Sequence, residues 1–341
     1  MTLRERAADL AKELLIVDGH IDLPYRLDRQ RERGDPVDDP SGRTPGGHFD
    51  AVRARAGGLN APFMAIYVPA DYQSRGGAKA KADQLIDLVE GLAAEHPDTF
   101  QLASTPDAIV RAVAAGRIAL PMGLENGAAL ESDLTNIAHF YRRGIRYITL
   151  THSRDNQIGD SSYDSRRSHR GLSEFGKSVI VEMNRIGMMV DVSHVSDRTF
   201  DDVLELARVP PIASHSSCRH FTPGWERNIS DESIRKLAGA GGVVMINFGT
   251  NFLRRGDSKT ALPVTARHVA DHIEHVVRLV GIEHVGIGSD YDGVPKLPAD
   301  LQDVSSYPVL LEELLRRGYR DADLEKITSG NILRVWRDVS G

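Results

Sequence analysis

Short apolar runs recur along the chain, each followed by a longer stretch whose apolar residues fall at helical spacing. The first run (Leu-Leu-Ile-Val, 14–17) is brief, rich in branched side chains and followed by Gly and Pro, which predicts a buried strand. Similar runs stand at 61–68, 118–124, 147–151, 188–192, 211–214, 242–248 and 284–289. Between and after them the spacing predicts helices over 78–92, 106–115, 134–143, 199–207, 230–238, 264–280, 309–317 and 321–327, with a last one from Asn331. Another starts near Ser173, sets Phe175, Val179, Ile180, Met183 and Ile186 on one face, and stops at Gly187. An amphipathic segment, 3–15, precedes the first strand. The polar stretches 28–58 and 153–171 show little periodicity and are expected to be long loops.

Most of these strands are continuous apolar runs rather than alternating ones, a pattern that suits parallel strands covered by helices on both faces. Eight strand–helix units predict a closed (β/α)8 barrel of the TIM type, with residues 1–341 as one domain. An open doubly wound sheet is the alternative, but no Gly-x-Gly-x-x-Gly opens the first crossover.

Composition narrows the function classes. The 341 residues are 41% hydrophobic and 26% charged, an ordinary globular balance, and the net charge of −6 gives no basic patch for nucleic acid. Cys218 is the sole cysteine, which excludes an internal disulfide and a cysteine-based zinc site and fits a reducing compartment. No segment approaches the roughly 20 apolar residues of a membrane span. The N-terminal Met-Thr-Leu-Arg-Glu-Arg does not read as a secretory signal, nor 335–341 as a lipid-anchor tail, so a soluble cytoplasmic protein is expected.

The strand ends carry the chemistry. His20 and Asp22 close the first strand, Glu125 the third, His152 the fourth, His194 the fifth, His215 the sixth and Asp290 the eighth. In a (β/α)8 barrel all these ends meet at one mouth. Residues two apart in an extended chain face the same way, so His20 and Asp22 converge. Any one of these side chains alone is most simply a satisfied polar residue near the core; their joint placement on one face is what argues for a site. The set exceeds what one tetrahedral zinc can use. Two divalent ions would use it well, with His20 and Asp22 on one, His194 and His215 on the other, and Glu125 as the bridge between them. A water held between two such ions ionises near neutral pH and can attack a carbonyl.

Other candidates read as structural. His268, His272 and His275 recur at helical spacing, but Val269 stands where a helical zinc-protease motif needs glutamate, so a solvated helix face is expected. His48, His96, His139, His169 and His220 are expected to be ordinary loop or helix residues, and Cys218 a small loop residue.

Several motifs taken together resemble the membrane (renal) dipeptidase family, zinc peptidases of the amidohydrolase group. They are Asp18-Gly-His-Ile-Asp-Leu-Pro24, Gly123-Leu-Glu-Asn-Gly127, Thr149-Leu-Thr-His-Ser153, Asp191-Val-Ser-His-Val195, Ser214-His-Ser-Ser217, Arg227-Asn228, Asp290-Tyr-Asp-Gly-Val-Pro295 and Gly330-Asn-Ile-Leu-Arg-Val335. The resemblance runs nearly end to end and is weakest in 28–58, 70–116 and 250–263. It implies a binuclear zinc barrel with the ligand set above. It further implies that His152 stabilises the tetrahedral intermediate, that Asp290 passes a proton to the leaving amine, and that Arg227 contacts the substrate's terminal carboxylate. It implies a dipeptide substrate, with a D-residue accepted at the C-terminal position, and a homodimer. Phe252 stands where the family suggests a tyrosine that contacts substrate, so that hydrogen bond is expected to be lost. Membrane attachment, a property of secreted members, is not carried over.

The expected function is therefore that of a two-zinc dipeptidase. Another binuclear amidohydrolase, acting on N-acyl amino acids or lactones, is the alternative enzyme. A non-catalytic barrel that keeps metal for stability is the alternative outside catalysis, but such a barrel needs neither His152 nor Asp290.

Overall fold

The computed structural model describes residues 1–255 and 263–341. Eight parallel strands close on themselves: β1 (Ile16–Ile21), β2 (Leu59–Tyr67), β5 (Met122–Glu125), β6 (Ile145–Thr149), β7 (Met189–Asp191), β8 (Ile212–Ser216), β9 (Val243–Ile246) and β10 (Val285–Ile287), with β1 beside both β2 and β10. The (β/α)8 expectation is thus met. Two further strands, β3 (Phe100–Leu102) and β4 (Ile118–Leu120), pair outside the barrel. Apolar residues of the strands and surrounding helices form the large outer core. A second cluster joins Val17, Phe63, Tyr147, Met189 and Met245 to Trp336 of the C-terminal helix Asn331–Ser340. Phe63 lies 5.3 Å, ring to ring, from both Tyr147 and Trp336.

The elements themselves depart from the sequence expectations at several points. The run 118–124 is two strands, because Pro121 lacks the N–H needed to continue a ladder; β4 leaves the barrel and β5 enters it. The three-residue β3 was not expected, being too short to show a period. The stretch 28–58 is only partly loop, since helices Leu23–Arg33 and Ala51–Gly57 occupy its two ends. Charge hides the first of these: its buried face is little more than Leu23, Leu27 and Asp28, and Asp28 is ion-paired with the buried Lys81. Finally, His20 lies inside β1 rather than beyond it, and Asp22 is the N-cap residue of the next helix. The 250–263 segment lies partly outside the described residues.

Candidate active site

The seven strand-end residues meet at the C-terminal mouth of the barrel. Glu125, the last residue of β5, stands between two groups of imidazoles. Its Oε2 is 3.4 Å from His20 Nε2, while its Oε1 is 3.1 Å from His194 Nε2, 3.4 Å from His215 Nε2 and 3.6 Å from His152 Nε2. His20 Nε2 is also 3.3 Å from Asp22 Oδ2. Asp22 reaches this point although the chain has left the extended conformation there (φ −88°, ψ 27°). His20, Asp22 and Asp290 form a further converging trio. Gly293 permits that closeness, since a Cβ there would stand 2.2 Å from both Asp22 Oδ2 and Asp290 Oδ1.

Backbone geometry aims several of these groups. His194 (φ 71°) and Asp290 (φ 64°) have positive φ just past their strands, as does Asn126 (φ 79°) beside Glu125. Such conformations cost on the order of 1–3 kcal/mol each in a non-glycine residue and persist where surrounding contacts enforce them. Here the Asp290 N–H donates to the His20 carbonyl, and Asn126 Nδ2 donates to the Val68 carbonyl.

A shell of buried partners sets the histidine tautomers. Tyr147 donates its hydroxyl hydrogen to the Gly19 carbonyl at 2.9 Å and lies 3.0 Å from His20 Nδ1. Its oxygen is thus the acceptor for an Nδ1 hydrogen, which leaves the Nε2 lone pair of His20 facing Glu125. Likewise Ser214 donates to Asp191 Oδ2 at 2.6 Å and accepts from His215 Nδ1 at 2.7 Å. Asp191 is fully buried and also accepts from Thr149 Oγ1 and from the backbone of Ser193 and Ser214. Metal-binding histidines are held by partners of this kind.

The donor set fits divalent metal. His194 Nε2 and His215 Nε2 lie 2.8 Å apart, and burial, reinforced by nearby positive charge, holds both pKa values well below the usual histidine range. The two ring nitrogens face each other at hydrogen-bond distance, and a shared cation would satisfy both lone pairs at once. His20 Nε2 is buried with no hydrogen-bond partner among the described residues. Burial opposes charge on His20, but Tyr147, Glu125 and Asp22 outweigh it and raise its pKa well above the usual value. Positive charge is thus favoured at that nitrogen, and a bound ion would supply it in place of a proton. Imidazole and carboxylate donors together suit zinc and its neighbours in the transition series.

The proton-handling candidates differ in environment. Burial, and then the neighbouring Asp22, push the Asp290 carboxyl well above the usual range, while Asn247 Nδ2 donates to its Oδ2 at 2.7 Å. His152 is partly exposed at the mouth, and burial draws its pKa down. Arg227 is 2% exposed; its Nη1 donates to Ser216 Oγ, and its Nη2 donates to the His215 carbonyl and lies 3.1 Å from His194 Nε2. The cleft above the site has a volume of about 520 Å³. Its walls are aromatic, with Tyr25 and Tyr67 on one side and Tyr163, Trp225 and Phe252 on the other. Phe252 packs against Trp225 at 4.9 Å and lies 4.9 Å from the Arg227 guanidinium carbon, so its ring fills the wall without a hydroxyl.

The roles of Tyr147, Asp191, Ser214 and Asn247, and of the aromatic walls other than Phe252, are not legible in the sequence. A charged residue inside an apolar strand, as at Asp18 and Asp191, is a usable signal, because such groups are rarely buried without a task. No comparable signal marks Tyr147. The solvated face expected for helix Ala266–Val280 is wrong for His272, which is fully buried. Its Nδ1 accepts the Cys218 N–H at 2.9 Å and its Nε2 donates to the Leu253 carbonyl at 3.1 Å.

The family model for membrane dipeptidases, peptidase family M19, matches residues 4–341. The chain belongs to this family. Dipeptidase 3 of Rattus norvegicus is 36% identical over 341 residues, covering 99% of this chain and 67% of the relative. An uncharacterized dipeptidase of Schizosaccharomyces pombe is 35% identical, covering 98% of this chain and 82% of its own. Among solved structures, the probable dipeptidase PvdM of Pseudomonas aeruginosa superposes with a TM-score of 0.88 at 25% identity, covering 99% and 98% of the two chains. A metallopeptidase of Rhodobacter sphaeroides, liganded with a phosphinate mimic of the dipeptide L-Ala-D-Ala, superposes with a TM-score of 0.85 at 26% identity, covering 96% and 99%. This M19 dipeptidase is thus a metal-dependent hydrolase of peptide bonds with a small peptide as substrate. Among the described residues no helix is long and apolar enough to cross a membrane.

Proposed function

We propose that this M19 dipeptidase holds two zinc ions and hydrolyses dipeptides, including those with a D-residue at the C-terminal position. One ion would sit on His20 and Asp22 and the other on His194 and His215, with Glu125 shared. The observation that carries this reading is the division of Glu125, whose Oε2 faces His20 and whose Oε1 faces His194 and His215. The chemistry that a metal pair supplies when bound is polarisation of the peptide carbonyl and activation of a water molecule at neutral pH.

The chain's own groups supply the rest. Asp290, held by Asn247 and with its carboxyl pushed well above the usual range by burial and then by Asp22, would hand a proton to the leaving amine. His152 would point an N–H at the oxygen on which negative charge develops. Arg227 would draw in the dipeptide's terminal carboxylate; its Nε, buried without a partner among the described residues, is its uncommitted donor. The aromatic cleft has room for a dipeptide with sizeable side chains. The mimic of L-Ala-D-Ala in the Rhodobacter sphaeroides structure supports the stereochemistry. A cytoplasmic homodimer without nucleic-acid or membrane partners completes the proposal.

Metal analysis of purified protein, paired with a library of L,L- and L,D-dipeptides, N-acyl amino acids and lactones, tests it. Two zinc ions per chain and turnover of both dipeptide sets are expected. Turnover of acyl amino acids or lactones alone would overturn the substrate assignment.

A further inference from the structure

Away from the barrel mouth, a second set of metal-competent side chains converges at the surface. His220 lies in the short helical turn Arg219–Phe221 beyond β8, Asp231 begins helix Asp231–Gly239, and His275 sits within helix Ala266–Val280. One donor atom from each lies within 4.8 Å of the others. His275 Nε2 is 2.8 Å from Asp231 Oδ1, and the His220 ring stacks on that of His275 with centroids 4.3 Å apart and planes 23° from parallel.

We propose that His220, Asp231 and His275 form an additional, exchangeable site for a divalent transition ion of the zinc type. Two imidazoles and one carboxylate from three separate segments are a donor set that suits zinc, cobalt or nickel and is poor for calcium or magnesium. Donors about 2.0–2.1 Å from a tetrahedral zinc sit roughly 3.3 Å from one another. His275 and Asp231 are already closer than that, and His220, exposed to solvent, can swing to complete the triangle. Water would take the remaining position, as befits an exchangeable ion. Binding would take the place of the hydrogen between His275 Nε2 and Asp231, with the neutral ring carrying its hydrogen on Nδ1 instead.

The position gives such an ion a consequence. The segment from His220 to Asp231 carries Trp225, which lines the substrate cleft, and Arg227. An ion bound at both ends of that segment and to helix Ala266–Val280 would fasten the segment against the barrel.

The test is equilibrium dialysis of the holoenzyme against zinc, counting ions per chain in native protein, His220→Ala and His275→Gln. Native protein is expected to bind one ion per chain more than either variant, whatever the occupancy of the barrel mouth. Added zinc is expected to raise the melting temperature of the native holoenzyme and leave that of the variants unchanged. With cobalt as probe, a visible absorption band for the extra equivalent should appear in native protein alone. Equal ion counts in native protein and folded His220→Ala would overturn the proposal. Because His220 is exposed, that variant keeps the fold and decides the question if His275→Gln does not.

Discussion

Tyr147 stands behind His20, 3.0 Å from its Nδ1, and gives its own hydroxyl hydrogen to the Gly19 carbonyl. The phenol thereby fixes which nitrogen of His20 faces Glu125. Tyr147→Phe keeps the ring packed against Phe63 and removes the hydroxyl, both the acceptor for His20 and the donor to Gly19. Loss of such a partner costs about 10–100-fold in metal affinity. Competition with a chelator should show that loss for the variant, with an unchanged circular dichroism spectrum. Unchanged affinity would mean that the hydroxyl is a packing detail.

Asp290 and Asn247 define a second expectation. Asp290→Asn cannot deliver a proton, and general acid catalysis typically contributes about 10²–10⁴-fold. Steady-state kinetics on a dipeptide should show kcat falling by about that factor, with KM and zinc content near those of the native enzyme. A kcat close to native would remove Asp290 from the proton-transfer role.

Stability should depend on pH through His272. Burial depresses its pKa from 6.5 to about 4, against the pull of the Leu253 carbonyl, which accepts from Nε2 and favours the charged ring. Between those values the unfolded chain binds a proton that the folded chain refuses. The contribution of the neutral ring is therefore full above pH 6.5 and is lost as pH falls towards 4, amounting to about 3 kcal/mol at most. Urea unfolding across this window should show a shallower decline in His272→Gln than in native protein. Parallel declines would contradict the assignment.

Much of this was readable from the chain, for reasons that particular residues make clear. Glu125, His152, His194, His215 and Asp290 each follow an apolar run, and parallel barrel topology then dictates that they meet. The partners that orient them are set by three-dimensional packing: Tyr147 is 127 residues from His20, and no local pattern links the two. The period of two in an extended strand would set Asp22 beside His20, whereas the contact is made where the chain turns into helix Leu23–Arg33. That helix was hidden because so little of its face is apolar. His272 was misread because its spacing matches an exposed stripe, while its burial depends on Cys218 and Leu253 arriving from other segments.

The central claim is that Glu125 joins two metal positions through separate oxygens, 3.4 Å from His20 on one side and 3.1 Å from His194 on the other. Glu125→Gln keeps the shape and removes the charge. The deciding measurement is the zinc content of that variant, determined alongside its turnover of an L,D-dipeptide. The account predicts fewer than two ions per chain at the barrel mouth, counted after dialysis has removed the exchangeable surface ion, and a kcat at least about 100-fold lower, the scale on which loss of a catalytic group is felt. Two tightly held ions with native turnover would contradict it.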